Sequence, residues 1–318
     1  MEVNKLGREV KLSQSAIDKL QEFESQLDPA NPESGPHSPY IIGFGEMSTV
    51  FGFGDSELTD FAFKRMAIFH SEDELVPYRK NFIEYCQLLV ELNINMPDYG
   101  TVTIERKGQP VLYVFQRKID SDSIGHHYIQ KTSVDESTEL FKVILEKFDI
   151  VFNYNKNNPK LAIGLDGQIS NWVYQNKTLL YLDTSTPLMR KDGIEQLNSE
   201  LFLRICPSYL VWVIRLFFLA TVLDRYYDLR LVIIDLIGNL YKEKKQSLIN
   251  PFLEVANQFL TKSHPELKPI KQKEIDAYYK EDAWIWRIFL FFRKLERFIK
   301  TKIQRREYEL ILPGNIDR

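Results

Sequence analysis

The stretch Leu161-Ala-Ile-Gly-Leu-Asp-Gly-Gln-Ile-Ser-Asn171, followed by Leu179-Leu-Tyr-Leu-Asp183, decides how this chain of 318 residues is read. Asp166 stands five residues before Asn171, and Asp183 lies twelve beyond it, at the end of a short apolar run. Two carboxylates and an amide, carried by strand ends and tight loops, suit a site that holds a divalent metal and polyphosphate, because Mg²⁺ takes hard oxygen ligands. What the cluster means depends on what precedes it.

Working upstream, Glu84 lies in Asn81-Phe-Ile-Glu-Tyr-Cys-Gln-Leu-Leu, part of a helix expected near Tyr78 to Leu92. A carboxylate flanked by core-facing residues needs a cation, and the nearest plausible one is Lys64, twenty residues earlier in the strand-like Phe61-Ala-Phe-Lys-Arg-Met66. Earlier still, Gly43-Phe-Gly-Glu-Met-Ser48-Thr-Val50 separates two strand-like runs that read as a hairpin. Glycines at such a turn let backbone N–H groups approach phosphate closely, because no Cβ intervenes. A second hairpin, Thr101–Ile104 with Val111–Gln116, turns at Lys107-Gly-Gln.

In this order the residues resemble the protein-kinase-like fold, including its aminoglycoside and choline kinase branch. The family's signature runs from a glycine-rich loop through a strand lysine and a helix glutamate to an Asp-x-x-x-x-Asn loop and a metal-binding aspartate. The matching residues here are Gly43, Gly45, Ser48 and Val50, then Ala62 and Lys64, then Glu84, then Asp166 with Asn171, then Asp183. The resemblance spans residues 40–190 and implies an α+β, two-lobed fold. The expected layout is an N-terminal helix and Pro-rich linker over 1–39, a β-rich lobe over 40–118 and a helical lobe over 119–318.

The same resemblance implies a mechanism. ATP would lie under the Gly43–Ser48 turn, with its adenine against the Phe115–Lys118 connection beside Gln116. Lys64, oriented by Glu84, would meet the phosphates. Asn171 and Asp183 would bind Mg²⁺, and Asp166 would take the proton of an attacking hydroxyl on a small-molecule acceptor.

The departures are equally specific. Gly164-Leu165 stands where the family carries His-Arg or His-Gly, Gln168 replaces a Lys or His, and the metal triplet reads Asp183-Thr-Ser. Ser48 takes the place of the third loop glycine, and no Ala-Pro-Glu follows Asp183. Thr184 to Arg190 reads as a short route back into helix. Activity on protein substrates is therefore not expected. Two readings stay open, a small-molecule kinase and a nucleotide-binding pseudokinase or scaffold.

Composition sets the wider limits. With 44% hydrophobic and 27% charged residues and a formal charge of −3, the chain can bury a sizeable core, and nucleic acid is not its expected partner. Cys86 and Cys206 form no CxxC or Cys/His cluster, which argues against disulfide and zinc frameworks, and His126-His127 lacks a third ligand. The N-terminus has no signal-peptide core, and the apolar run Tyr209–Leu223, interrupted by Arg215, reads as a buried helix in a cytoplasmic protein. Arg230 is expected to pair with Asp235 or Asp228. The basic helix from Ala283 to Arg306 carries a stripe of Ile288, Phe292, Leu295, Ile299 and Ile303. It is expected to pack on the helical lobe by that stripe, with contact to an anionic membrane surface as the alternative.

Overall fold

The computed structural model describes residues 7–45, 48–54, 57–204, 211, 223–305 and 311. Cys206, Arg306 and nearly all of the Tyr209–Leu223 run, on which some of the expectations above fall, lie outside the described residues.

A five-stranded antiparallel sheet forms the first part, in the order β1-β2-β3-β5-β4. Its strands are β1 (Pro39–Phe44), β2 (Thr49–Phe53), β3 (Phe61–Met66), β4 (Tyr99–Arg106) and β5 (Gln109–Arg117). The period-2 alternation of a strand gives this sheet two different faces. Phe51, Phe53, Phe63, Tyr113 and Phe115 share one face, where they bury against Leu20 and Phe23 of helix α1 (Gln14–Gln26). Ser13 caps α1, its side chain accepting from the Ala16 N–H. Glu24 of this helix is fully buried and paired with Arg65 at 2.7 Å, Tyr113 donates to its carboxylate, and Arg106 donates to its backbone carbonyl with the guanidinium 3.5 Å from the carboxylate. A buried carboxylate with this many donors fixes where α1 sits, because removing any donor would strand a charge out of water.

The other face carries the even-numbered residues of β3 and β5: Ala62, Lys64 and Met66 beside Leu112, Val114 and Gln116. Met66, Leu112 and Val114 pack in the main core with Leu75, Tyr78, Phe82 and Tyr85 of helix α2 (Glu72–Glu91). This helix begins six residues before the expected Tyr78. Its first turn, Glu72-Asp73-Glu74, favours the positive end of the helix dipole, and Pro77 as the sixth residue does not break it. At the β4–β5 turn Lys107 and Gly108 both have positive φ (51° and 76°), which suits a tight hairpin.

The second part is mainly helical. Helix α3 (Gly125–Lys131) leads into α4 (Val134–Asn157), which starts at a full capping box between Ser133 and Glu136 and buries Leu140, Phe141, Ile144, Leu145 and Phe148. Two small sheets follow, the hairpin β7 (Trp172–Gln175) with β8 (Thr178–Tyr181), and β6 (Leu161–Ile163) with β9 (Met189–Lys191) and β10 (Ile194–Glu195). The chain after Asp183 thus enters β9 and a tight hairpin before reaching helix α5 (Ser199–Arg204), rather than returning directly to helix. Helices α6 (Leu229–Lys242), α7 (Ile249–Ser263) and α8 (Gln272–Phe298) complete the described fold, with Phe141 of α4 stacked on Phe252 of α7 at 4.3 Å.

Arg230 does not pair with either aspartate proposed for it. It holds Glu274 at 2.8 Å and the Lys268 carbonyl, while Asp228 caps α6 and Asp235 accepts from Asn239. Arg230 is the second residue of α6 and meets Glu274 at the start of α8, whereas Asp235 is buried more than a turn further along, beside Tyr278 and Asp282 of α8. Among the described residues, no helix is long and apolar enough to cross a membrane.

The architecture is a mixed α+β one, a β-rich first part with one helix inserted between β3 and β4 and a helical second part. That is the two-lobed protein-kinase-like arrangement.

Candidate functional site

Lys64 of β3 is brought to Asp183 by the alternation just described. Its Nζ lies 3.0 Å from Asp183 Oδ1, and it also contacts the Ser185 hydroxyl. Both side chains of the pair are about one quarter exposed, at 23% each. Burial alone would raise the Asp183 pKa, but the Lys64 charge and the hydrogen bonds from Lys64 and Ser185 outweigh it and hold the carboxyl below its usual range. Val50 is the direct cross-strand neighbour of Lys64, and Gly43 that of Val50.

The glycine turn closes over this lysine. Gly45 N–H donates to the Ser48 carbonyl at 2.9 Å, and a Cβ at Gly45 would stand 2.6 Å from Ser48 Oγ and 3.4 Å from Lys64 Cε. A side chain at Gly45 would displace the Ser48 hydroxyl and crowd Lys64. Gly43 has nothing within 4 Å of where its Cβ would be, so this stretch of backbone faces open space.

Asn171 and Asp183 are joined by the β7–β8 hairpin. Because Trp172 pairs with Tyr181, the residues flanking the hairpin meet at its open end, where Leu182 N–H donates to the Asn171 carbonyl at 2.8 Å. Asn171 Nδ2 reaches back to the Asp166 carbonyl at 3.4 Å, which draws the third residue into the group. The Asp166 loop is pinned from behind by buried tyrosines. Tyr181 Oη accepts from Asp166 N–H at 3.2 Å, and Tyr85 Oη donates to the Gly164 carbonyl at 2.9 Å. Asp166 Oδ1 accepts from Gln168 N–H at 3.1 Å, an Asx-type turn that orients the carboxylate.

The departures from the kinase pattern have packing causes. A Cβ at Gly164 would lie 2.9 Å from Leu188 Cβ and 3.2 Å from Tyr226 Cβ, so a larger residue has no room there, and Leu165 is fully buried. Gln168 supplies backbone to the short 3-10 turn that ends at Asn171. Thr184 is fully buried and accepts from Gln116 Nε2 at 3.2 Å, which ties β5 to the Asp183 segment. Gln116 therefore sits beside Asp183, on the same sheet face as Lys64.

Glu84 does not orient Lys64. It pairs with Lys191 of β9 at 2.6 Å, and its side chain is 31% exposed. The buried face of α2 runs through Leu75, Tyr78, Phe82, Tyr85 and Cys86, and Glu84 lies outside it. The side chains of α2 that reach the Asp183 segment are uncharged: Tyr78 donates to the Ser185 carbonyl, and Cys86 shares a hydrogen bond with Thr184. Sequence reasoning missed Tyr78, Ser185 and Thr184. The uncommon Asp-Thr-Ser triplet was the signal that two small hydroxyl residues stand where the pattern has Phe-Gly.

The donor set fits a magnesium-bound phosphate ligand. Among the described residues, Asp183 Oδ2 and Asn171 Oδ1 have no protein partner, which leaves one carboxylate and one amide oxygen available. Mg²⁺ in phosphoryl-transfer sites is commonly held by one or two such side-chain oxygens together with phosphate oxygens and waters. No group of three or more His, Cys, Asp or Glu side chains forms a metal cage among the described residues, and this type of site does not need one.

Fold and site together define a protein of kinase-like build with a lysine–aspartate centre. The chain belongs to DUF6206, a family of unknown function, which it matches over residues 53–297. No curated protein matches it. Among solved structures it is similar to a point mutant of aminoglycoside 2'-phosphotransferase-IIIa in complex with GDP, at 13% identity, with 77% of this chain and 97% of that one covered and a TM-score of 0.35. It is also similar to a chain of the complex of Neurospora crassa PAN2 (WD40-CS1) with PAN3 (pseudokinase and C-term). There the identity is 12%, the coverage 92% and 77%, and the TM-score 0.38. A GDP and kanamycin complex of APH(2")-IIIa is similar at 12% identity, 79% and 99% coverage and a TM-score of 0.30.

Proposed function

We propose that this protein binds Mg²⁺-ATP and transfers its terminal phosphoryl group to a small hydroxylated metabolite. The observation that carries the reading is the meeting of Lys64 with Asp183 at 3.0 Å, beside the Asn171–Asp166 loop and beneath the Gly45–Ser48 turn. Lys64 supplies a fixed positive charge for the phosphates. Asp183 and Asn171 offer the oxygens for Mg²⁺, which when bound neutralises phosphate charge. Asp166 stands as the base for the acceptor hydroxyl. Phosphoryl transfer depends on alignment and charge stabilisation more than on covalent help, and these residues supply both.

A second reading, a nucleotide-binding protein without transfer activity, is favoured by one observation. Glu84 is engaged by Lys191, so no carboxylate of α2 holds Lys64, and the lysine's counter-charge is Asp183 itself. ATP consumption measured against sugars, amino alcohols and nucleosides separates the two. Turnover with one acceptor class, abolished by Asp166→Asn, supports transfer. ATP binding with no turnover for any acceptor supports the second reading, and turnover unchanged by Asp166→Asn removes Asp166 as the base.

A further inference from the structure

The last described helix presents an apolar face to solvent. Helix α8 buries Ile275 and Arg293, which are eighteen residues apart, or five full turns, and so lie on one line. Trp284 lies nine residues beyond Ile275, two and a half turns on, and therefore points the opposite way. On that outer line Trp284 is 59% exposed, Phe291 62%, Leu295 37% and Phe298 56%. The spacing of 7, 4 and 3 residues makes these one continuous stripe, about 21 Å long at 1.5 Å per residue. The packed stripe expected from the sequence is thus not the one the fold buries, since Leu295 is itself exposed and so is Ile303, at 67%.

The flank of this stripe is cationic. Lys280, Arg287 and Lys294 recur every seven residues along one side, and all three are exposed. From Lys280 to Arg305 the chain has eight Lys or Arg and three carboxylates, Glu281, Asp282 and Glu296, of which Glu281 is paired with Arg225. This pattern decides what covers the stripe. In a helix pair with a second copy, Trp284, Phe291 and Phe298 would occupy one seam position, and Lys280, Arg287 and Lys294 would occupy the other. Like charges would then meet at the centre of the seam. A surface that is apolar below and anionic above satisfies both rows, with aromatic rings at the acyl boundary and cations among the headgroups.

We infer that the exposed Trp284–Phe298 face of α8 is a docking surface for an anionic lipid bilayer, on which the helix lies flat. The contact would hold the protein at a membrane surface through this helix, and it is independent of the nucleotide site.

Co-sedimentation of the full chain with vesicles tests this, using phosphatidylcholine alone and phosphatidylcholine mixed with phosphatidylserine. The expected result is pelleting with the anionic vesicles, weakened by salt, and little with the neutral ones. Phe291→Ser with Phe298→Ser should lower the partition coefficient roughly tenfold or more while leaving the melting temperature unchanged, because both rings are exposed. Arg287→Gln and Lys294→Gln should each lower it about fivefold. Wild-type protein remaining in the supernatant with anionic vesicles would overturn the inference, as would double-variant protein that pellets like wild type. A lipid-free dimer that the same double variant abolishes would also overturn it, assigning the face to a second copy.

Discussion

Lys64 and Asp183, 119 residues apart in the chain, form a half-buried ion pair at 3.0 Å. This contact joins the sheet to the loop that follows the β7–β8 hairpin, and so couples the two parts of the fold at the candidate site. Lys64→Met should leave Asp183 short of its cation and lower stability by roughly 1–3 kcal/mol, as read by urea unfolding. The pH dependence follows from the lowered Asp183 pKa. The pair's contribution is fully present above the ordinary carboxylate range and is lost as pH falls through the depressed folded value. The stability gap between wild type and Lys64→Met should therefore narrow in acid.

Glu84 gives a contrasting outcome. Its pair with Lys191 is about one third exposed, so Glu84→Gln should change stability by less than about 1 kcal/mol and leave nucleotide affinity close to wild type. If Glu84→Gln weakened ATP binding as strongly as Lys64→Met, a role for Glu84 in orienting Lys64 would be restored. Binding of a fluorescent ATP analogue by the two variants decides this.

Gly164→Ala tests the packing explanation of the residues that precede Asp166. The added methyl would stand 2.9 Å from Leu188 Cβ, and overpacking of this kind costs roughly 1–3 kcal/mol. A melting temperature unchanged by the substitution would remove close packing as the reason for a glycine at this position.

Much of the fold was legible in the sequence, and the physical reason is residue type. Short runs of β-branched and aromatic residues mark the strands β2, β3 and β5, and the Lys107-Gly108 turn has the residues a tight hairpin needs. What failed depended on helical phase. The apolar neighbours of Glu84 in the sequence suggest a core-facing position, but Tyr78, Phe82, Tyr85 and Cys86 define the buried side of α2 and turn Glu84 away from it, towards Lys191. The apolar stripe of α8 was misplaced in the same way. Phase is set by what each helix packs against, which no local pattern shows.

Asp235 illustrates a group whose environment only tertiary structure reveals. Burial, with Asp282 of α8 nearby, raises its pKa to about 7 from an ordinary 3.8. An acid whose folded pKa is raised contributes stability below its unfolded pKa and loses it as pH rises through the folded value. Wild-type protein should therefore lose stability between about pH 4 and pH 7 from this source. Asp235→Asn should flatten that slope and melt higher than wild type above pH 7. Thermal melts across that range check it, and parallel curves for the two proteins would remove Asp235 from the account.

The central claim is that the Lys64–Asp183 centre binds magnesium nucleotide. Its most direct test is thermal unfolding of the full chain with and without Mg²⁺-ATP, for wild type and for Asp183→Asn. At a ligand concentration a hundredfold above the dissociation constant, wild type should gain about 2.7 kcal/mol. Asp183→Asn should lose most of that gain. A wild-type protein whose melting is unmoved by millimolar Mg²⁺-ATP, or an Asp183→Asn variant stabilised as fully as wild type, would contradict the account.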